Sequence, residues 1–295
     1  MFRLYDRRTR QVEAIEPAGR GLLRMYSCGP AGSRRAHIGD LRSCLIADLI
    51  RRNAEHRHHL TVLTCQNISD VVNQADGGGI GTAAEEMFRA DCSALNLRPA
   101  DNSAYFPGDV IDIHTGGIDS CFPHYEHERA QPDPVTGHEV VRHWVHGEQL
   151  RFGGAAMAAS AGNAVFLDEL AGRGLDPLAL RLAFLEHGYR EPVNLSWDAL
   201  GAADRTLGRW RELVAEWAQS PSKPLSAPTA ALVAAAFDDD LDTPAALAAL
   251  HRLEQDTQAA PGAKFETFAH ADQLLGLDLA RDIGRVPVRP QSASG

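Results

Sequence analysis

The chain has 295 residues, enough for one large domain or two ordinary ones, and 44% of them are hydrophobic, the composition of a globular protein with a sizeable core. No apolar run approaches a membrane span and the first residues hold no signal-peptide stretch, so a cytoplasmic protein is expected. A net charge of -10 counts against a nucleic-acid partner, which needs a basic track, and five scattered cysteines fit reduced thiols or metal ligands better than a disulfide framework.

In chain order, residues 1–15 alternate through Phe2, Leu4, Val12 and Ile15 and predict an edge hairpin. Met25 and Tyr26 end a strand that Gly29 and Pro30 break. From His37 onward, Ile38, Leu41, Leu45, Leu49 and Ile50 recur at helical spacing, so a strand empties into a turn that opens a helix. The free N–H groups and the positive dipole end of such a helix suit a phosphate or a carboxylate. His37 stands where its imidazole can reach an anion held there, and Gly39 lets a ligand approach the backbone. Residues 59–65 read as a buried strand. Strand, crossover helix and strand make a parallel unit, whose ligands bind beyond the carboxyl ends of the strands. Asn67, Ser69 and Asp70 would then share a crevice with Cys28 and His37.

Residues 76–81 read as a loop, and 82–97 as a helix with Met87, Phe88, Cys92 and Leu95 on one face. A strand is expected at 110–113, after a turn at Pro107-Gly108, and another at 140–146. Asp176-Pro177 opens an apolar helix through Leu178, Leu180, Leu182, Phe184 and Leu185. Residues 200–217 and 229–259 are helical patterns joined by the linker Ser220-Pro221-Ser222-Lys223-Pro224. A last helical turn is expected at 274–279, and a polar disordered tail from Val286.

Cys28-Gly29-Pro30 followed by Ala36-His37-Ile38-Gly39 resembles the class I aminoacyl-tRNA synthetase signature in its cysteinyl-tRNA synthetase form, which the cysteine ligase of mycothiol synthesis shares. Gln66-Asn67-Ile68-Ser69-Asp70, residues 112–131 and Asp238-Asp239-Asp240-Leu241-Asp242-Thr243-Pro244 resemble further segments of the same family, in the same order. The resemblance implies an α/β fold, a Rossmann-like parallel sheet followed by a helical bundle. The catalytic unit would take residues 1–199, the bundle 200–283 and the tail 284–295. It implies an ATP site, with magnesium, at His37, Gly39, Gly116, Gly117, Asp119, Met157 and Ser160, the glycines belonging to a Gly-rich loop after a strand, and His37 and Asp40 in catalytic position. An amino-acid site would use Cys28, Gly29, Asn67, Ser69 and His114.

The family's zinc site matches at Cys28, His124 and Glu128, the last two falling four apart on one helix face. Its fourth ligand, a cysteine, lies in a deletion here; Cys92 is one replacement, and Cys121 and His127 are further candidates. The plainer alternative makes Cys28 and Cys92 buried small hydrophobes, and His124 with Glu128 a helix-surface pair. Zinc would matter because a soft thiolate is preferred to a hydroxyl, which separates cysteine from serine.

The departures from the family are as telling. Only a short stretch separates Pro99 from the strand at 110, where the family has a large connective insertion, and no anticodon-reading domain is recognisable. Asp40 stands for the second histidine of the signature. Ala156, Ala158 and Ala159 replace a lysine, a serine and a second lysine. Arg34 and Arg35, in the altered turn, either supply phosphate contacts or are merely solvated. The expected function is activation of an amino acid, cysteine by the resemblance, as its adenylate, with transfer to a small amine or carrier rather than to tRNA. The alternatives are a catalytically impaired pseudoenzyme serving as a binding or partner subunit, and a minimal cysteinyl-tRNA synthetase.

Overall fold

The computed structural model describes residues 1–31, 34–69, 80–101, 110–118, 141–157 and 162–285. Within them the expected hairpin is present: β1 (Arg3–Asp6) and β2 (Gln11–Ala14) pair antiparallel, with Leu4 opposite Glu13. The central sheet contains β3 (Leu22–Ala31), β4 (Thr61–Ser69), β5 (Ile111–Gly117) and β6 (Val141–Gly147), in the order β4-β3-β5-β6 and parallel throughout. From β3 the chain passes through α1 (Ile38–His58) to β4 on one side, whereas β5 lies on the other side of β3. The strand order therefore reverses between β3 and β5, the position at which open parallel sheets take ligands.

Two glycine expectations are corrected here. Gly29 and Pro30 do not end β3, which runs on to Ala31; they coincide with a register shift between Cys28 and Ala31, where proline has no N–H to give the ladder. Gly116 and Gly117 are not a loop: they are the last residues of β5, opposite His146 and Gly147.

Helix α1 forms where the 3.6-residue stripe predicts it, with Ile38, Leu41, Leu45, Leu49 and Ile50 buried. It runs to His58, beyond the apolar stripe, and His59 closes it in the left-handed conformation with φ 53. Helix α2 (Ile80–Ala94) buries Ala84 and Phe88, with Leu95 just beyond, but Met87 is exposed, one position off that face. A small sheet joins β7 (Leu150–Phe152), β8 (Ala155–Ala156) and β9 (Val193–Leu195). The helices that follow are α3 (Leu167–Gly172), α4 (Pro177–Leu185), α5 (Trp197–Trp217), α6 (Ala227–Asp238), α7 (Thr243–Gln255) and α8 (Pro261–Leu275).

The division drawn after residue 199 falls inside the first turn of α5, which starts at its Ser196 cap. One apolar core runs from Ile38 of α1 through Leu180 of α4 to Trp210 and Phe268 of the helical region. The pattern at 274–279 is not a separate helical turn; it is the exit of α8, a helix whose mixed sequence, with Lys264 and Thr267 buried, hides its apolar stripe. The expected tail beyond residue 285 lies outside the described residues. No helix among the described residues is long and apolar enough to cross a membrane.

Asp48, in the third turn of α1, carries a buried ion network. Its Oδ2 accepts from Arg181 Nη2 at 2.6 Å and from Arg52 Nε at 2.8 Å, and its Oδ1 accepts from the Arg98 amide at 3.1 Å. The two arginines also donate to the carbonyls of Leu95, Asn96, Gln273 and Leu275, so the ends of α2 and α8 are tied to α1. Burial pushes the Asp48 carboxyl up, but the Arg181 and Arg52 charges and hydrogen bonds outweigh it and hold the pKa below the ordinary 3.8. Removing one partner of a buried pair strands the other charge, so Asp48→Asn is expected to lose about 3–5 kcal/mol in urea unfolding. A change under about 1 kcal/mol, the level of an exposed pair, overturns this reading. The carboxyl contributes fully above the unfolded value of 3.8, and its contribution fades as pH falls through the lower folded value. The parent should therefore lose stability in acid more steeply than Asp48→Asn.

Candidate active site

Alternation along β3 sends Met25 and Ser27 toward α1 and sends Tyr26 and Cys28 to the opposite face. Register then decides their neighbours. Tyr26 lies opposite His114 of β5, and His114 lies opposite Trp144 of β6. The result is a ring cluster: His114 centres 5.3 Å from Tyr26, 4.5 Å from Trp144 and 5.5 Å from His146. Cys28 Sγ lies 3.6 Å from His114 Nε2. Gly116 lies against both side chains: a Cβ there would make ordinary contact, 3.5 Å from both Cys28 Cβ and His146 Cδ2.

Trp144, His114 and His146 are all buried. Burial, then the charge of His114 and of Arg7, pushes the His146 imidazole down to about 3, so it stays neutral at physiological pH. The sequence singles out Cys28 and His114, which the structure brings together, but not Tyr26, Trp144 and His146 beside them. Their signal was the two-residue alternation of β3 and β6, which becomes informative only once the strand order is known.

The start of α1 forms the second part of the site. His37 is the N-cap, with extended backbone, and its Nδ1 accepts from the Gly39 and Asp40 amides at 3.1 and 3.3 Å. Its own amide donates to Asp40 Oδ2 at 2.8 Å, a reciprocal capping box. Because Nδ1 accepts, the neutral ring carries its proton on Nε2. Gly39 is small for a local reason: a Cβ there would lie 2.9 Å from His37 Cε1 and 3.2 Å from Met157 Cε. Met157, at the entry to the altered second signature, thus packs on the first. At the other side, a Cβ on Gly117 would meet Ser43 Oγ of α1 at 2.8 Å, so the end of β5 closes against the same helix.

Asp40 does not stand as a bare anion beside the helix start. Arg34 grips it with two hydrogen bonds, 2.7 Å to Oδ2 and 2.8 Å to Oδ1, and this pairing raises the guanidinium pKa. Arg35 donates to Asp168 at 2.8 Å and stacks 4.8 Å above Phe166. Both arginines are therefore held by carboxylates, contrary to the merely solvated alternative.

Cys92 does not complete a metal set with Cys28. It faces Cys44 of α1, whose hydrogen bond, with burial, pushes its thiol pKa up. It lines a cavity of about 560 Å³ with Met25, Ser27, Thr64 and Gln66, on the face of the sheet opposite Cys28. Asn67 and Ser69 lie in β4, with Cys28 opposite Asn67 and Ala31 opposite Ser69. Gly29 lies in β3 one residue beyond Cys28. Asp70, Asp119, Cys121, His124, His127, Glu128 and Ser160 lie outside the described residues.

The reversed parallel sheet, with a histidine-capped helix start at its crevice, has the architecture of class I aminoacyl-tRNA synthetases. A Mycobacterium tuberculosis methionyl-tRNA synthetase bound by methionyl-adenylate superposes with a TM-score of 0.52 at 12% identity, over 89% of this chain and 90% of that one, which shows the fold alone. Residues 88–205 match the family model "tRNA synthetases class I (C) catalytic domain". The cysteine–tRNA ligase of Opitutus terrae is 26% identical over 400 aligned positions, covering 94% of this chain and 86% of that protein. That of Methylocella silvestris is 40% identical over 67% of this chain, which spans only 40% of the relative's length. These matches support a class I synthetase of the cysteinyl-tRNA synthetase kind, to which the chain is similar over most of its length.

The cap geometry is testable by paired glycine substitutions. Gly39→Ala must displace His37 or Met157 and is expected to cost about 0.5–2 kcal/mol in thermal unfolding, the value of a lost N-cap. Gly116→Ala meets only ordinary contacts at 3.5 Å and should stay within about 0.5 kcal/mol of the parent. Equal losses in the two variants would show that the His37 cap contributes nothing.

Proposed function

We propose that this chain uses ATP, with its magnesium, to activate an amino acid, cysteine, as the aminoacyl-adenylate and passes it to a small amine or carrier. The observation that carries the reading is Cys28 set 3.6 Å from His114 beside Gly116, at the carboxyl ends of the two strands where the sheet order reverses. In the first step the amino-acid carboxylate attacks the α-phosphorus and pyrophosphate leaves. In the second an amine nitrogen attacks the acyl carbon, AMP leaves and the amine gives up a proton.

The chain's own part is binding and charge placement. His37, protonated on Nε2, offers a donor for a phosphate oxygen. The glycines at the end of β5 let Cys28, His146 and Ser43 pack close to the strand end, and Met157 closes against Gly39. The buried rings of His114 and Trp144 make a dry wall for a small side chain. Cys28, beside an imidazole, has the donor chemistry of a zinc ligand, and His124 and Glu128 would complete such a set. When bound, zinc supplies a soft Lewis acid that favours a thiolate over a hydroxyl.

A second reading, a binding or partner subunit without the chemistry, has its own observation: the position of the second signature histidine is taken by Asp40, locked to Arg34. ATP–pyrophosphate exchange across the amino acids, with zinc-replete protein, separates the two. Exchange with cysteine and not serine is expected. No exchange with any amino acid leaves the binding subunit. His37→Asn keeps a cap-forming side chain yet removes the imidazole, so exchange should fall on the order of 10²–10³-fold with stability little changed. Charging of tRNA as fast as acyl transfer to small amines would overturn the proposed acceptor and restore the minimal synthetase.

A further inference from the structure

We propose that the N-terminal hairpin and β6 together form a divalent transition-metal site, of the zinc class, with Asp6, Glu13 and His143 as ligands. Among the described residues they are the group of three whose Asp, Glu and His ligand atoms all lie within 4.8 Å of one another. Asp6 and Glu13 are diagonal neighbours on one face of the hairpin, because Leu4 pairs with Glu13. His143 comes from the sheet edge against which the hairpin lies, where the Arg7 amide donates to the Trp144 carbonyl at 2.9 Å.

The geometry is that of a ligand set rather than of a settled ion pair. His143 Nδ1 is 3.6 Å from Asp6 Oδ2 and 3.6 Å from Glu13 Oε2, too long for a hydrogen bond to either. Metal–ligand bonds of 2.0–2.1 Å in a tetrahedron place ligand atoms roughly 3.3–3.4 Å apart, so the imidazole needs only a small inward adjustment, and the two carboxylates, within 4.8 Å, draw together on the ion. Asp6 is fully buried and His143 is 8% exposed, yet Asp6 Oδ2 and His143 Nδ1 have no hydrogen-bond partner. Buried polar atoms without a hydrogen bond are costly, and these two face one another and Glu13 at ion-pair distance only.

The other oxygen of Asp6 accepts from the Arg8 amide at 2.7 Å, which fixes the carboxylate plane as second-sphere bonds do for metal ligands. Arg8 is the competing cation. Its Nη2 stands 3.8 Å from Asp6 Oδ2 and instead donates to the Arg142 carbonyl at 3.1 Å. Two carboxylates and one neutral imidazole balance a divalent ion. The imidazole nitrogen and the small number of oxygens favour a zinc-like cation over calcium or magnesium. Bound there, the ion would clip the hairpin to β6 three residues before His146, and so hold the wall of the crevice. The site does not depend on whether the crevice activates an amino acid.

Metal content of the full chain after zinc loading and gel filtration tests it, with Glu13→Gln, His143→Gln and Cys28→Ser compared with the parent. Glu13 is partly exposed on an edge strand, so Glu13→Gln should fold even if the buried His143 variant does not. The expected result is that Glu13→Gln loses one metal equivalent, or binds it weaker by more than the roughly 10–100-fold cost of a second-sphere change, while Cys28→Ser keeps it. In the Cys28→Ser background, zinc should raise the melting temperature and cobalt(II) should give ligand-field bands without a thiolate charge-transfer band. Glu13→Gln should abolish both. If Glu13→Gln binds as much zinc as the parent with the same affinity, or if Cys28→Ser removes all bound metal, the site does not exist.

Discussion

A single buried carboxylate sets how the helical region meets the sheet. Asp48 takes both Arg181 and Arg52, and through them the carbonyls at the ends of α2 and α8. The closing turn of α8 is shaped to fit. Gly276 adopts φ +66, and a Cβ there would lie 2.7 Å from Arg181 Nη2 and 2.9 Å from Arg52 Cζ. Helix α1 has 21 residues and is about 31 Å long. Its middle and far turns are anchored by this network, and its first turn carries the His37 cap. The helical region therefore does more than add core: it fixes the axis along which the capped end of α1 is aimed.

A second buried arginine holds the near end. Arg42, one turn beyond the cap, donates to the carbonyls of Glu148, Gly188 and Glu191, tying the exit of β6 to the segment before β9. Burial pushes its pKa down to about 10, so it remains charged among carbonyl oxygens at neutral pH. Tyr189 then hydrogen-bonds Asp240 Oδ1, which also accepts from the Tyr5 amide of the hairpin, while Asp240 Oδ2 accepts from Arg190. Hairpin, sheet edge and helical region meet in that chain of contacts. The two arginines on α1 thus divide the work, Arg52 orienting the helix and Arg42 the loops around its mouth.

The elements that could be read from sequence were those with local causes. The stripe of α1, the proline-led start of α4 and the alternating hairpin each follow from a few neighbouring residues. Failures came where the cause was distant. Gly29 and Pro30 look like a break, but pairing with β4 resumes beyond them at Ala31 and carries β3 past them. His146 and Trp144 carry no motif; they join Cys28 and His114 because β6 happens to be the strand beyond β5. Asp6, Glu13 and His143 are separated by more than a hundred residues at the widest, and only hairpin docking brings them together.

The departures from the family signature are not all of one kind. Asp40 brings negative charge to a helix start, which suits the dipole but opposes a phosphate. Arg34, in the turn that also departs from the family, lies across that carboxylate in a bidentate pair, and Asp40 in turn caps the His37 amide. These changes form one unit: the anion is neutralised, and the cap is strengthened rather than lost. The second signature is different. Ala156 sits exposed in β8 opposite Arg151, on an antiparallel turn that keeps its shape without a lysine. The described walls of the crevice thus keep their fold at Asp40 and at Ala156, while charge is rebuilt at the first and reduced at the second. That balance of charge at the mouth of the sheet, not the integrity of the scaffold, separates a ligase from a protein that only binds.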